Sequence, residues 1–321
     1  MIELNYKLAE NFLNNNKIFN YEIIKIAGDA SFRSYYRINT DKNSYILMFA
    51  PPSHEDIKPF IKIDQYLLNN NFSAPIIYFI DEKNGFILLE DFGDKTYSKI
   101  LKNDNSSEFN LYKNACDLLI AMHQKPINTE IPLYNNATLF REVLLFIDWY
   151  LLLKNKIISK QQKLDYKHLW FDLFDKLDKK NNVVVLRDFH ADNLMFLNNR
   201  LNYQSVGLLD FQDALIGSPA YDLVSLLEDA RRDINEKNRH DLYNYFLNQS
   251  GYEKKQFDID YQILSLQRNI KILGIFARLS IRDKKNYYLE LIPRVLNFVI
   301  TRIDSDNKLF LEIKKLLKNL L

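Results

Sequence analysis

The sequence predicts an α+β chain: a small antiparallel sheet carrying one main helix, then a larger and mostly helical part. Three observations carry this reading. Between residues 21 and 90, short apolar runs alternate with polar turns in the order β-β-β-α-β-β. From residue 96 onward the apolar spacing becomes that of helices, as at Leu111, Ala115, Leu118, Leu119 and Met122. Only 7 Gly and 8 Pro occur in 321 residues, too few to turn every corner of a many-stranded barrel or sandwich.

Residues 21–26 alternate imperfectly and read as a first strand. Residues 32–38 and 45–49 flank the polar run Asn39-Thr40-Asp41-Lys42-Asn43 and read as a hairpin, which Pro51-Pro52 ends. Residues 53–70 set Ile57, Phe60, Ile61, Tyr66, Leu67 and Leu68 at roughly helical spacing, with Ser53 as the expected N-cap. Residues 75–80 and 86–89 form another hairpin around Asp81-Glu82-Lys83-Asn84-Gly85. The change of texture near residue 90 divides the chain into a lobe over 1–90, a hinge over 91–95 and a second lobe over 96–321. Within the second lobe, residues 183–186 are a buried strand and residues 187–193 a polar loop. Residues 194–197 and 205–209 form a hairpin, and 222–321 return to helix.

Composition narrows the function classes. Lys and Arg number 43 and Asp and Glu 41, so the net charge is +2 and no global field holds the chain on nucleic acid or an anionic membrane. Cys116 is the single cysteine, which excludes an intramolecular disulfide and a cysteine-based zinc site. No apolar run reaches 18 residues, and residues 143–153, the most apolar window, contain Asp148 and read as a buried helix. The first residues have no basic stretch leading into an apolar run, so a signal peptide is not expected and a cytoplasmic, reducing location is.

The chemistry-bearing stretch is Arg187-Asp188-Phe189-His190-Ala191-Asp192-Asn193, directly after a buried strand. Seventeen residues beyond Asn193, a second apolar strand ends in Asp210-Phe211-Gln212-Asp213. Strand ends joined by a hairpin are neighbours in space, so Asp188, Asn193 and Asp210 are expected to face one small volume. Carboxylate and amide oxygens suit Mg²⁺, which takes one or two protein ligands and completes its shell with water and phosphate oxygens. Phosphoryl transfer needs such a cation and a carboxylate to receive the proton of the attacking hydroxyl. Asp188 is the expected base, with Asn193 and Asp210 the metal ligands. Taken singly, each is also a residue type that caps helices and forms turns.

These residues carry a resemblance. The chain resembles the aminoglycoside phosphotransferase and choline kinase branch of the protein-kinase-like fold: residues 187–193 resemble its catalytic loop, and Asp210-Phe211-Gln212 stands where protein kinases have D-F-G. Within that branch it is most similar to the bacterial kinases that phosphorylate C1 of N-acetylmuramate and N-acetylglucosamine in cell-wall recycling. That similarity rests on Gly28-Asp29-Ala30-Ser31-Phe32-Arg33, Leu89-Glu90-Asp91-Phe92-Gly93-Asp94, Asp229-Ala230-Arg231-Arg232-Asp233 and residues 267–279. The resemblance implies a two-lobe kinase-like fold, ATP and Mg²⁺ as cofactors, a small amino-sugar substrate, and a downstream nucleotidyltransferase to consume the product. Other acceptors of the wider branch (an aminoglycoside, a choline-like amine, a protein hydroxyl) stay open as alternatives, as does a nucleotide-binding pseudokinase.

The same resemblance directs attention to the nucleotide. Gly28, Ser31 and Phe32 lie in the loop expected over the phosphates, and the backbone of Glu90, Asp91 and Phe92 is expected at the adenine edge. Met48 stands where kinases carry a lysine on the third strand. Arg33 and Arg37, four apart on a strand and hence on one face, are the candidates to replace that cation, or else an exposed strand face. Leu186 replaces the histidine of H-R-D, a packing position. For the acceptor, His190, Asp192, Gln212, Asp213, Arg231, Arg232 and Arg268 are the candidate contacts. One of Arg231, Arg232, Arg268 or Arg278 is expected to meet the carboxylate that N-acetylmuramate carries, and Asp222 is expected to brace the catalytic loop.

Overall fold

The computed structural model describes residues 4–28, 32–180, 182–304 and 308–321. The chain forms two compact units: residues 1–100 with 192–213, and residues 101–191 with 214–321. The fold is mixed α and β, with an antiparallel sheet in the first unit and helices dominating the second.

The first unit opens with helix α1 (Tyr6–Asn15), a helix ahead of the first expected strand. Asn5 caps it by accepting from the Leu8 N–H at 3.2 Å, and Ala9, Phe12 and Leu13 supply its buried stripe. Strands β1 (Tyr21–Gly28), β2 (Ser34–Thr40) and β3 (Ser44–Phe49) follow, then helix α2 (Lys58–Asn69), β4 (Ile77–Asp81) and β5 (Phe86–Glu90). The sheet order is β1-β2-β3-β5-β4, every pairing antiparallel. Phe12 and Leu13 join Tyr36, Ile38, Leu47, Phe49, Phe86 and Leu88 in one core, so α1 covers alternate residues of the central strands.

Helix α2 corrects one expectation. It starts at Lys58 rather than after Ser53, because Pro51-Pro52 leads into a turn and Pro59 sits in the first helical turn, where a missing N–H costs nothing. The Asp56 side chain accepts from the Lys58 N–H at 2.9 Å.

The chain continues through α3 (Tyr97–Asn103), α4 (Glu108–His123), α5 (Asn136–Leu145), a π-helical turn at Phe146–Tyr150, α6 (Leu151–Leu153) and α7 (Lys160–Phe174). Strand β6 (Val183–Val185) belongs to the second unit. Strands β7 (Leu194–Phe196) and β8 (Val206–Leu208) form a hairpin within the first, where Gly207 lies so close to the Phe92 ring and Met195 that a Cβ would meet both at 3.0 Å. Strand β9 (Leu215–Gly217) returns to pair with β6.

Helices α8 (Ala220–Leu227), α9 (Glu236–Ser250), α10 (Lys254–Asp283), α11 (Ile292–Asp304) and α12 (Leu311–Leu320) complete the second unit. Its axis is α10, 30 residues long, capped by Glu253, whose carboxylate accepts from the Lys255 and Gln256 N–H groups. At Gly274 the Leu145 backbone comes within 2.3 Å of where a Cβ would stand, so only glycine permits α10 to pack this closely on the end of α5. Among the described residues no helix is long and apolar enough to cross a membrane.

Candidate active site

The first unit holds the expected metal donors. The β7–β8 hairpin puts Asn193 before one strand and Asp210 just past the other, and the Leu209 N–H donates to the Asn193 carbonyl at 3.0 Å. Asn193 Nδ2 lies 3.5 Å from Asp210 Oδ2, a long contact. Gln212 Nε2 donates to Asp210 Oδ1 at 2.9 Å, and Arg33 Nη2 lies 3.9 Å from the same oxygen. Asp210 holds a left-handed backbone, φ +57°, which is strained for a residue with a side chain. The next residue anchors it: the fully buried Phe211 stacks on Phe60 of α2 with centroids 5.0 Å apart. A hard carboxylate and an amide converging on one point match in number and kind what Mg²⁺ takes from a protein. Among the described residues no group of three or more His, Cys, Asp or Glu is arranged to hold a metal, so a cation here would need other oxygens to complete its shell.

The segment after β5 is fastened from two sides. Arg37 grips Asp91 bidentately, Nε to Oδ2 at 2.6 Å and Nη2 to Oδ1 at 3.0 Å. It also reaches Asp94 at 3.0 Å and the Gly93 carbonyl at 3.1 Å. Arg200, in the hairpin turn, bonds Glu90 Oε1 at 2.6 Å and lies over the Phe92 ring. Arg37 is thus committed to acids of residues 91–94, unlike the phosphate role considered for it. Arg33 is the one of the two that lies beside Asp210. Among the described residues the main-chain groups of Phe92 have no hydrogen-bond partner within the chain.

Gly28 ends β1 opposite Ser34, and Ser31 lies outside the described residues. Phe32 is exposed; its N–H donates to Glu55 Oε1 at 3.2 Å and its ring meets that of His54 at 4.7 Å. Met48 is fully buried in β3, in register with Tyr35 and Ile87, so this position contributes packing and no charge. Sixteen residues on, α2 carries an acid that sequence reasoning passed over. Asp64 is 1% exposed, and among the described residues its Oδ1 has no hydrogen-bond partner. Burial, with Glu90 adding repulsion, pushes its carboxyl up to about 7.

The second unit holds the expected base. Asp188 follows β6 and is half-buried, on a loop clamped from beneath by Asp222 of α8. The Asp222 carboxylate accepts from the Leu186 N–H at 2.6 Å and the Arg187 N–H at 2.8 Å, the bracing role expected of it. Arg187, immediately before the base, has φ +72° and is held by Glu142 of α5 through a short ion pair. Glu142 also pairs with Lys271 of α10 at 3.1 Å and accepts from the Tyr134 hydroxyl and from Gln267 Nε2. Burial alone would raise the Glu142 carboxyl; Lys271 and Arg187 outweigh it and hold it below its ordinary value. Sequence reasoning missed Glu142 and Lys271, because a charge on a helical stretch reads as a solvated face.

His190 is 3% exposed. Burial first, then the neighbouring Arg231 and Arg268, hold its pKa well below the usual range, so its imidazole is neutral. Arg231 Nη1 lies 3.2 Å from Nε2, which makes Nε2 the acceptor and assigns the ring proton to Nδ1. Asp229, on the segment after α8, accepts from the Arg231 N–H at 2.8 Å and the Ala191 N–H at 3.4 Å. Arg232 is bound elsewhere, to the fully buried Glu108 at 2.9 Å, to the Tyr112 hydroxyl and to Asn105. Asp192 and Asp213 are exposed.

Residues 22–257 match the model of the phosphotransferase enzyme family. The chain is similar to the N-acetylmuramate/N-acetylglucosamine kinase of Pseudomonas aeruginosa, 33% identical over 290 residues that cover 88% of this chain and 84% of that protein. It is 31% identical to the kinase of the same description from Caulobacter vibrioides, covering 88% of each. Among solved structures it shares its fold with an ADP-bound aminoglycoside phosphotransferase, at TM-score 0.64 and 16% identity, covering 93% of this chain and 99% of the other. The ethanolamine kinase of Plasmodium vivax gives TM-score 0.62 at 13% identity, covering 90% and 85%.

Proposed function

The chain belongs to the phosphotransferase enzyme family, and from that premise we propose that it transfers the γ-phosphoryl group of ATP to the anomeric hydroxyl of N-acetylmuramate or N-acetylglucosamine. The observation that carries this is similarity over 88% of the chain to kinases named for those two sugars. The braced Asp188 and the Asn193–Asp210 pair supply the chemistry such a transfer needs.

In this reading Asp188 accepts the proton of the C1 hydroxyl while that oxygen bonds to the γ-phosphorus. The bond from the γ-phosphorus to the bridging oxygen breaks, and ADP departs with the electron pair. An anomeric hydroxyl is more acidic than an ordinary alcohol, so a carboxylate is a sufficient base. Asn193 and Asp210 would hold Mg²⁺, which when bound neutralises charge on the phosphate oxygens. Arg33 adds positive charge near Asp210 in place of the lysine that Met48 replaces. The main chain of Phe92 takes the adenine edge. Asp222 and Arg187 hold the base in position, and most of the acceleration comes from orientation and charge neutralisation. The division into a nucleotide lobe over 1–90, a hinge over 91–95 and a catalytic lobe over 96–321 belongs to the same reading.

The test is product identification. After incubation with Mg-ATP and N-acetylmuramate, phosphorus coupled to the anomeric proton in ³¹P–¹H NMR is the expected result. Transfer to an aminoglycoside with none to either amino sugar would reverse the assignment of the acceptor.

A further inference from the structure

Residues 90–96 run against the β7–β8 hairpin within the first unit. The Phe196 N–H donates to the Lys95 carbonyl at 2.8 Å, and Thr96 bridges Met195. Gly207 of β8 leaves room for the Phe92 ring, since a Cβ there would meet that ring at 3.0 Å. The Arg200 guanidinium lies over the same ring, 5.3 Å from its centroid, and bonds Glu90 Oε1 at 2.6 Å. Glu90 Oε2 accepts from the Ile76 N–H at 3.2 Å. Arg200 stands in the hairpin turn, where its own N–H donates to the Leu197 carbonyl at 3.2 Å. A planar guanidinium can lie on an aromatic face and bond a carboxylate at once, which an ammonium cannot do. One side chain thus ties residues 90 and 92 to the hairpin whose open end carries Asn193 and Asp210.

The polar groups beside Phe92 are engaged within the chain. Arg37 takes the Asp91 and Asp94 carboxylates and the Gly93 carbonyl, and the Gly93 N–H donates to Asp91 Oδ1 at 2.8 Å. The N–H and carbonyl of Phe92 have no partner among the described residues, and the residue is half-buried. An N–H and a carbonyl held in place read a base by its donors and acceptors. Adenine offers an amino donor where guanine offers a carbonyl acceptor. A main chain that cannot shift therefore pairs with one base and leaves unpaired polar groups against the other.

We propose that Arg200 is a positioning residue for nucleotide selectivity: by holding Glu90 and the Phe92 ring, it fixes the Phe92 main chain so that adenine is favoured over guanine. This rests on the kinase reading above, in which that main chain meets the base.

The measurement is the dissociation constant of Mg-ATP and of Mg-GTP, read by calorimetry without acceptor, in the wild type, Arg200→Met, Glu90→Gln and the double variant. The wild type should prefer ATP. Arg200→Met should weaken ATP about 10-fold, leave GTP little changed, and so lower the preference about 10-fold. Glu90→Gln should shift the preference in the same direction, and the double variant should lose no more than Arg200→Met alone. An unchanged ratio of ATP to GTP affinity in Arg200→Met overturns the proposal, also when both affinities fall together, as general loosening of the unit would make them. Should Arg200→Met fail to fold, an unchanged ratio in Glu90→Gln overturns it instead. Losses that multiply in the double variant mean that Arg200 does not act through Glu90, and overturn it as well. With no acceptor present, the sugar assignment can fail while this test stands. A wild type that binds neither nucleotide overturns the kinase reading itself, and the role of Arg200 with it.

Discussion

The loop before Asp188 and the hairpin ends that carry Asn193 and Asp210 are built on opposite plans. The first is over-determined: Asp222 binds two successive N–H groups, and Glu142, itself paired with Lys271, holds the Arg187 side chain. The second is held by contacts within its own unit: Asn193 Nδ2 lies 3.5 Å from Asp210 Oδ2, Gln212 donates to Asp210 at 2.9 Å, and Arg33 lies at 3.9 Å. A base must be aimed before the substrate arrives, so its supports are internal. Metal donors need only converge, since the cation and its other ligands complete the geometry. The same contrast holds for two buried acids. Glu142 has two cationic partners and stays charged, whereas Asp64 has none among the described residues and is pushed towards neutrality.

Removing Glu142 should break the first plan most severely. Glu142→Ala leaves Arg187 and Lys271 buried without their acid and should lower unfolding stability by about 3–5 kcal/mol, read by urea denaturation. A loss under about 1 kcal/mol would show that the network contributes little to stability. Asp210→Asn probes the second plan. The fold should survive with an unchanged urea midpoint, while the Mg²⁺ concentration for half-maximal activity rises about 100-fold. An unaltered Mg²⁺ dependence would remove Asp210 from the donor set.

Asp64 sharpens the contrast through pH. Its pKa is raised in the folded state, so its contribution to stability is full below about 4, declines as pH rises, and levels off above about 7. Asp64→Asn removes that decline. The variant should be more stable than the wild type by about 4 kcal/mol at pH 8, with the gap closing near pH 4. A gap that is constant with pH would mean that Asp64 is ionised throughout. The smallest effect belongs to Arg37→Ala. Its cluster with Asp91 and Asp94 is partly exposed, and the change should cost about 1 kcal/mol or less and shrink in high salt.

Much of this was legible in the sequence because local pattern and local geometry agree. The order β-β-β-α-β-β followed from alternation broken by Pro51-Pro52 and Gly85, and the structure forms those strands. The neighbourhood of Asn193 and Asp210 followed from the hairpin between them, because paired strand ends fix where such side chains start. Helix α1 was not read, although Ala9, Phe12 and Leu13 have helical spacing, since its asparagine-rich end resembles a turn. The start of α2 was misread because Ser53 is a good cap residue in isolation, while Pro59 and the preceding turn decide where the helix begins. The buried acids were invisible for another reason. Glu142 and Glu108 have charged partners 45 and more than 120 residues away, and nothing in a local window distinguishes them from surface charges.

The role proposed for Asp188 is to receive the acceptor's proton. It is tested most directly by measuring Asp188→Asn and the wild type side by side for Mg-ATP affinity and for single-turnover phosphate transfer to N-acetylmuramate. The expected result is an affinity within about threefold of the wild type and a transfer rate lower by about 10³-fold or more. Transfer at the wild-type rate by the variant would contradict it.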